Sequence, residues 1–397
     1  MRPAVIILGA GVTGLSTAYH LAIKKFGRIV VLDKGAVGDG SSRRAAGIVT
    51  GLLWSETGVL ARQTALRRFR ELSEELPGYR FQAAGCLNVF DPPGWEERER
   101  LLPLYDRLGA PYEILDAAEM RRRWPQLHPR EEFTGLFDPL GGYSEPDEYL
   151  PALAARCREL GVEIREHTPV TGFRMEGGAL RGVRTADGEL GADAVVSTLY
   201  AWTNLALGQI GLALPVKAVV HQRYVTTPLP EPLPVPAVNA NPLSGYLRPA
   251  AGGRMLLGIE TAEREEHRVT SPAFHLDELA AWPGLREQIR KLFEPYAPVL
   301  RQLEFAEERV GLLTFAKDGE PVLGPVRAIP GLYVGVAFHS GGFAYNPASG
   351  LLLAEFVAEG RTHIDVSAFA PERFSEAETS EYLALTLRQK DLVRRRH

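Results

Sequence analysis

Cysteine is almost missing: Cys86 and Cys157 are the only two among 397 residues. Neither has metal-like spacing, so a disulfide framework and a cysteine-based metal site are excluded, and no metal is expected. A reducing cytoplasm suits such a chain. Charge of one sign is missing too. Lys+Arg 45 against Asp+Glu 49 leaves a net charge of -4, which provides no broad basic surface for nucleic acid and no polybasic membrane anchor. The terminal Arg394-Arg395-Arg396-His397 is a short exception that reads as a solvated tail. Long apolar runs are absent as well. The first, from Ala4 to Leu8, is too short for a signal-peptide core, and no stretch approaches a membrane span. The expected location is the cytoplasm. No internal repeat or low-complexity run appears.

What remains is an ordinary globular composition, 45% apolar and 24% charged, in a chain long enough for two domains. Val5-Ile6-Ile7-Leu8 reads as a strand buried on both faces. Gly9-Ala10-Gly11-Val12-Thr13-Gly14 follows at once. Leu15, Ala18, Tyr19 and Ala22 then recur at helical spacing, and Gly27 offers a stop. A second apolar run, Ile29-Val30-Val31-Leu32, ends in Asp33 and Lys34. Strand, glycine loop, helix, strand and acid form the βαβ dinucleotide fingerprint in order. Gly9 permits the tight turn, Gly11 lets backbone approach a pyrophosphate, and Gly14 allows close helix packing. The helix start offers free N–H groups and a partial positive charge to the phosphates. Asp33 is placed to accept hydrogen bonds from ribose hydroxyls. A nicotinamide-coupled flavoenzyme often carries a second such motif near mid-chain. None occurs here, which favours FAD.

Further stretches resemble the D-amino-acid oxidase superfamily, in the branch with glycine oxidase and sarcosine oxidase. Gly38-Asp39-Gly40-Ser41-Ser42-Arg43-Arg44-Ala45-Ala46-Gly47 is similar to the small-residue loop that wraps the pyrophosphate and passes the flavin ring. Pro169-Val170 resembles an adenine-side contact. Gly182 to Leu190 reads as a hairpin with an Asp187-Gly188 turn, and Ala192 to Val196 as a buried strand. Many relatives have glycine where this chain has Tyr200. Lys317 to Pro325 resembles the family's "DGxPxxG" stretch. His339-Ser340-Gly341-Gly342-Phe343 precedes Asn346-Pro347 and an apolar helix from Leu351 to Val357, with Asn346 expected as cap and Pro347 at the first helical position. The resemblance places this loop and helix start under the flavin pyrimidine, where a positive helix end stabilises reduced flavin. The Tyr200 to Asn204 and Lys217 to Gln222 stretches are similar to the flavin-bearing β subunits of sarcosine oxidase and proline dehydrogenase.

The resemblance implies an α/β protein with a Rossmann-like FAD-binding domain and a second, mainly antiparallel β-sheet substrate domain. The FAD domain is expected over residues 1–80, 145–215 and 311–375, the substrate domain over 81–144 and 216–310, and a helical tail over 376–397. The cofactor is expected to be non-covalent FAD, since residues 41–47 contain neither histidine nor cysteine. A small amine or amino acid (proline-, sarcosine- or glycine-like) is the implied substrate, oxidised by hydride transfer to flavin N5 to give an imine.

Gly245-Tyr246-Leu247-Arg248-Pro249 matches the family strand that carries a substrate-binding tyrosine. Period-2 alternation puts Tyr246 and Arg248 on one face, where both can meet a carboxylate; a surface strand with a solvated arginine is the alternative. His221 and Arg223 share a face of another strand. The chain departs from its relatives at Gly311-Leu312-Leu313: glycine oxidase-like members have the carboxylate arginine where Leu313 stands. Either Arg248 or another cation substitutes, or the substrate is not a simple α-amino acid. Sarcosine oxidase-like members carry a lysine that promotes reaction with oxygen at the position of Leu256. Its absence implies an electron acceptor other than oxygen, and an electron-accepting partner subunit is one candidate. An FAD-carrying subunit of a heteromeric complex and an oxidase producing hydrogen peroxide remain the alternatives.

Overall fold

The computed structural model describes residues 3–231, 233–302 and 304–393. The Arg394 to His397 segment lies outside them. The first βαβ unit forms as its sequence dictates: strand Ala4–Leu8, helix Val12–Ile23 and strand Arg28–Leu32. Residues 5–8 and 29–32 are wholly apolar and buried because the sheet is covered on both faces. They sit in a six-stranded sheet ordered Val322–Pro325, Leu332–Val336, Ala194–Ser197, Ala4–Leu8, Arg28–Leu32, Glu163–Arg165. Its central pairs are parallel, while the Val322–Pro325 edge is antiparallel. Helices Val12–Ile23, Glu56–Glu75, Pro146–Glu159 and Gly342–Glu359 share one large apolar cluster on the same side.

The second sheet has nine strands and is antiparallel except where Cys86–Phe90 meets Ala237–Ala240. At its centre Val216–Thr226 pairs with Phe305–Ala316 on one side and Arg254–Ile259 on the other. Gly245–Ala250 comes next. This sheet takes strands from 86–138, 216–316 and 338–339, and the mixed α/β class with a mainly antiparallel second sheet is confirmed. The strand Phe305–Ala316 runs straight through the boundary expected at 311. The hairpin Ala179–Thr185/Gly188–Gly191 turns at Ala186-Asp187, one residue before the expected Asp187-Gly188, and Gly188, at φ +117°, already pairs with Thr185.

Two further elements differ from expectation. The helix expected from Leu351 starts nine residues earlier, at Gly342, and Pro347 lies inside it. Proline has no N–H for the Phe343 carbonyl, and Asn346 Nδ2 donates to that carbonyl at 2.6 Å instead. Asn346 therefore repairs the helix rather than capping it. The tail is helical only over Glu376–Ala384. Beyond it the chain crosses the substrate-side sheet, where Gln389 N–H donates to Arg264 O and Gln389 Oε1 accepts from Thr261 Oγ1. No helix among the described residues is long and apolar enough to cross a membrane.

Candidate active site

A cavity of about 440 Å³ runs between the two sheets, within the usual range for small-molecule sites. At one end stand Gly9, Gly11, Val12, Thr13 and Gly14, with Asp33, Lys34 and Val170 beyond them. Ser41, Ser42, Ala45, Ala46 and Gly47 line its length. Tyr246, His221, Arg223, Leu313, Gly341, Gly342 and Phe343 close the other end.

The glycine end is shaped for backbone approach. A Cβ on Gly14 would lie 1.9 Å from Gly9 O, and one on Gly11 would lie 2.9 Å from Ser42 Oγ. Gly9 itself turns at φ +103°. No side chain caps the Val12–Ile23 helix from its own N-cap, which leaves its first turn facing the cavity. Val12 N–H donates to Ser42 Oγ at 3.0 Å, tying the 41–47 loop over that helix start. Asp33 accepts from Ala10 N at 2.7 Å and Gly35 N at 2.8 Å. Burial raises its pKa against those two bonds, so a further donor such as a ribose hydroxyl is welcome there. The donor set and the closed glycine loop fit FAD.

Lys34 lines the cavity, but its ammonium is engaged elsewhere. It donates to Pro272 O at 2.8 Å and Phe274 O at 2.5 Å and lies 4.2 Å from the Trp202 ring centroid. Arg43 does not line the cavity: its side chain points to Asp147 at 3.6 Å and Val37 O at 3.5 Å. What it gives the site is its carbonyl, which accepts from Arg223 and Arg309.

The strand expected to carry two substrate contacts carries one. Tyr246 and Arg248 share a face, yet only Tyr246 reaches the cavity. Tyr246 Oη lies 2.9 Å from His221 Nε2. Arg248 is fully buried and grips both oxygens of Glu145 at 2.7 and 3.0 Å. Its Nε donates to Ala46 O at 2.5 Å. A guanidinium held by an acid 103 positions earlier in the chain has no geometry left for a substrate carboxylate, which corrects the expectation for Arg248.

Four arginines line the cavity: Arg44, Arg62, Arg223 and Arg309. Arg44 pairs with Asp277, and Arg309 pairs with Asp147. Arg223 has no ion pair among the described residues. Its Nε and Nη2 donate to the carbonyls of Arg44 and Arg43 at 3.1 and 3.3 Å. Burial, then Arg309 directly opposite and Arg248 nearby, hold its pKa down at about 10. It remains charged at neutral pH and short of an anion.

A family model described as FAD dependent oxidoreductase (DAO) matches residues 4–356. The chain belongs to this family. It is 29% identical to glycine oxidase of Pseudomonas putida, over 94% of this chain and 99% of that one. It is 26% identical to sarcosine oxidase subunit beta of Rhodobacter capsulatus, over 95% and 90% respectively. Among solved structures, L-proline dehydrogenase from P. horikoshii superposes with a TM-score of 0.86 at 25% identity, covering 95% of this chain and 99% of that one. This DAO-family chain is therefore an FAD-dependent oxidoreductase.

Sequence reasoning missed several walls of the site. Tyr200, which stands where relatives have glycine, adopts φ +55°. That left-handed conformation costs a tyrosine about 1–2 kcal/mol, and its hydroxyl bonds Leu312 O. Ala337 (φ +61°) and His339 (φ +46°) are likewise held in positive φ just before the Gly342–Glu359 helix. Gln389 arrives from the tail. Only the Tyr200 departure left a trace in the sequence.

Proposed function

We propose that the enzyme oxidises the C–N bond of a small amine that bears a carboxylate, such as a proline-, sarcosine- or glycine-like amino acid. The observation that carries this is Arg223, a buried guanidinium on the substrate-side sheet with no acid of its own. A substrate carboxylate would meet its charge by a charge-assisted hydrogen bond and relieve its repulsion with Arg309 and Arg248. Arg223 thus takes the place vacated at Leu313. Tyr246 offers its hydroxyl beside it, oriented by His221.

FAD, when bound, supplies the two-electron acceptor for the hydrogen next to nitrogen, leaving an imine that water hydrolyses. Gly9 to Gly14 and residues 41–47 would hold its pyrophosphate, and Asp33 and Val170 its adenosine. Its ring would then be held at the Tyr246 and Gly341 end, as the resemblance implies. The protein's share of the chemistry is orientation: Arg223 fixes one end of the substrate, and the cavity wall excludes water. No dedicated base is needed if the amine binds neutral.

The test is anaerobic titration of the purified yellow enzyme with secondary and primary amino acids and with matched amines lacking the carboxylate. Bleaching of the flavin by a carboxylate-bearing amine, and not by its decarboxylated counterpart, is the expected result. Bleaching by both alike, or by neither, would overturn the assignment.

Likeness to a chain named a dehydrogenase supports a second element, that electrons leave to an acceptor other than oxygen, and similarity over 90% of a chain named subunit beta makes a partner subunit one candidate. Leu256, aligned with the lysine of sarcosine oxidase-like members, is buried and pairs across the sheet with Arg248. Stopped-flow reoxidation of substrate-reduced enzyme in air-saturated buffer should be too slow to sustain turnover, while an artificial acceptor restores it. Reoxidation by oxygen at the turnover rate would remove this element.

A further inference from the structure

A second guanidinium without an ion pair among the described residues, Arg62, lines the same cavity. It projects from the helix Glu56–Glu75, packed against the Gly342–Glu359 helix, and is 1% exposed. Its Nη1 donates to Thr50 O at a long 3.4 Å. Its Nε and Nη2 make no hydrogen bond. Its Cζ lies 4.1 Å from the centroid of the Tyr345 ring.

No ion pair to Arg62 forms among the described residues. Asp138, the nearby carboxylate, already accepts from Thr50 Oγ1 and from the amides of Gly51, Leu140 and Gly141. Glu320 holds Trp54 Nε1 at 2.7 Å. Burial lowers the pKa of Arg62, with Tyr345 and Asp138 opposing it. An ionised group so enclosed is costly unless an anion meets it.

The position says which anion. Arg62 lines the cavity beside Thr50 and Gly341; a Cβ on Gly341 would lie 2.2 Å from Arg62 Nη2. Gly341 opens the helix whose start closes the ring end of the cavity. Two arginines without an ion pair among the described residues thus line one cavity, and the reaction places negative charge in two places: on the substrate carboxylate and on the flavin once it has received the electron pair.

We propose that Arg62 is the fixed positive charge that stabilises reduced FAD, setting the cofactor's potential from the cavity wall. A preorganised charge in a dry site needs no rearrangement when the electrons arrive, which is where such groups act most strongly. The inference rests on FAD occupying this cavity with its ring at the Gly341 end; it does not rest on amine oxidation.

The test uses holoenzyme and no amine, so its failure is separable from failure of the proposed substrate. Sulfite, which adds to oxidised flavin and leaves the ring negatively charged, is titrated against wild type, Arg62→Met and Arg62→Lys. The two-electron potential is measured beside a reference dye. Arg62→Met should weaken sulfite binding at least tenfold and lower the potential by about 30 mV for each tenfold. Arg62→Lys, which keeps the charge, should stay within about threefold of wild type; the same contrast, with Arg62→Met folded but free of flavin, also supports the proposal. An Arg62→Met holoenzyme with wild-type affinity and potential would overturn it. So would two variants shifted equally, or two that both lose FAD or both unfold by circular dichroism, since each makes Arg62 a matter of packing rather than charge.

Discussion

Tyr246 Oη and His221 Nε2 meet at 2.9 Å directly above Gly258, where a Cβ would lie 2.2 Å from the tyrosine oxygen. The glycine is what lets the ring lie flat enough to reach the histidine from its own strand. Burial pushes the Tyr246 phenol up in pKa, against the pull of Arg223 and Arg248, so it acts as a hydrogen-bond donor at neutral pH. Tyr246→Phe should lower kcat/KM for the carboxylate substrate about 5- to 10-fold, the worth of one neutral hydrogen bond. Gly258→Ala should do at least as much without touching the phenol, because it displaces the ring. Steady-state kinetics of both variants check this; a Gly258→Ala enzyme with wild-type constants would mean that Tyr246 does not need its observed position.

Arg223→Leu should remove a charged contact worth about 1.5–3 kcal/mol, raising KM and lowering kcat/KM roughly 10- to 100-fold. Arg223→Lys should recover only part of it, since a point charge does not reproduce the fork that also bonds Arg43 and Arg44 carbonyls. FAD content should stay near wild type. Equal loss of activity against amines with and without a carboxylate would show that Arg223 does not bind that group.

The cofactor end gives a sharper test. Gly14→Ala drives a methyl to within 1.9 Å of Gly9 O, so the helix must move off the loop and flavin retention should be lost. Wild type should release its FAD on acid precipitation. The structure adds two histidines to the cavity wall, His221 and His339, that the absence of histidine from residues 41–47 did not anticipate. Yellow colour left in the acid pellet would mark a covalent link at one of them.

These sites differ in how visible they were before the fold was known. The dinucleotide unit is local: strand, loop, helix and acid follow within thirty-odd residues, and each residue type has one physical job. The strand face of Tyr246 was equally legible, because alternation is a property of neighbours. The fate of Arg248 was not, since it is decided by Glu145, which only the fold brings near. Arg62 is one of four arginines on the Glu56–Glu75 helix, and nothing in the local pattern distinguishes the buried one from Arg67, Arg68 and Arg70. Gln389 reaches the cavity only because the tail leaves its helix and crosses a sheet. Long-range pairing, rather than propensity, wrote those parts of the site.

The Glu145–Arg248 pair should be felt as acid sensitivity. Burial by itself would raise the Glu145 carboxyl, but the bonds and charge of Arg248, aided by the Ala251 amide, outweigh it and hold the carboxyl below its usual range. A depressed folded pKa contributes stability that is fully present above the unfolded value and is lost as pH falls through the folded one. Breaking one side of such a pair costs about 3 kcal/mol. Glu145→Gln should therefore be less stable than wild type at pH 7, with the gap closing below about pH 4. Denaturant midpoints across that range decide it, and a gap independent of pH would assign the loss to packing. Because Arg248 Nε also holds Ala46 O, the same variant should bind FAD more weakly.

Lys34 supplies the last expected outcome. It follows Asp33 at the adenosine end, yet its ammonium reaches the carbonyls of Pro272 and Phe274 on a segment that returns from the substrate-side sheet. Arg44 fastens the same segment through Asp277, and Phe274 packs against Trp202 and His267. Two cofactor-loop cations thus hold a strap along the cavity, which Pro272, His275 and Leu276 of that segment line. Lys34→Met should free the strap without altering the Asp33 carboxylate, so release of FAD should quicken roughly tenfold, as expected for one or two partly exposed charged hydrogen bonds. Flavin fluorescence on dilution measures that rate, and limited proteolysis near residues 270–278 should speed in parallel. A faster release with unchanged proteolysis would instead make Lys34 a direct ligand of the cofactor, and no change in either would leave the strap without a role in retention.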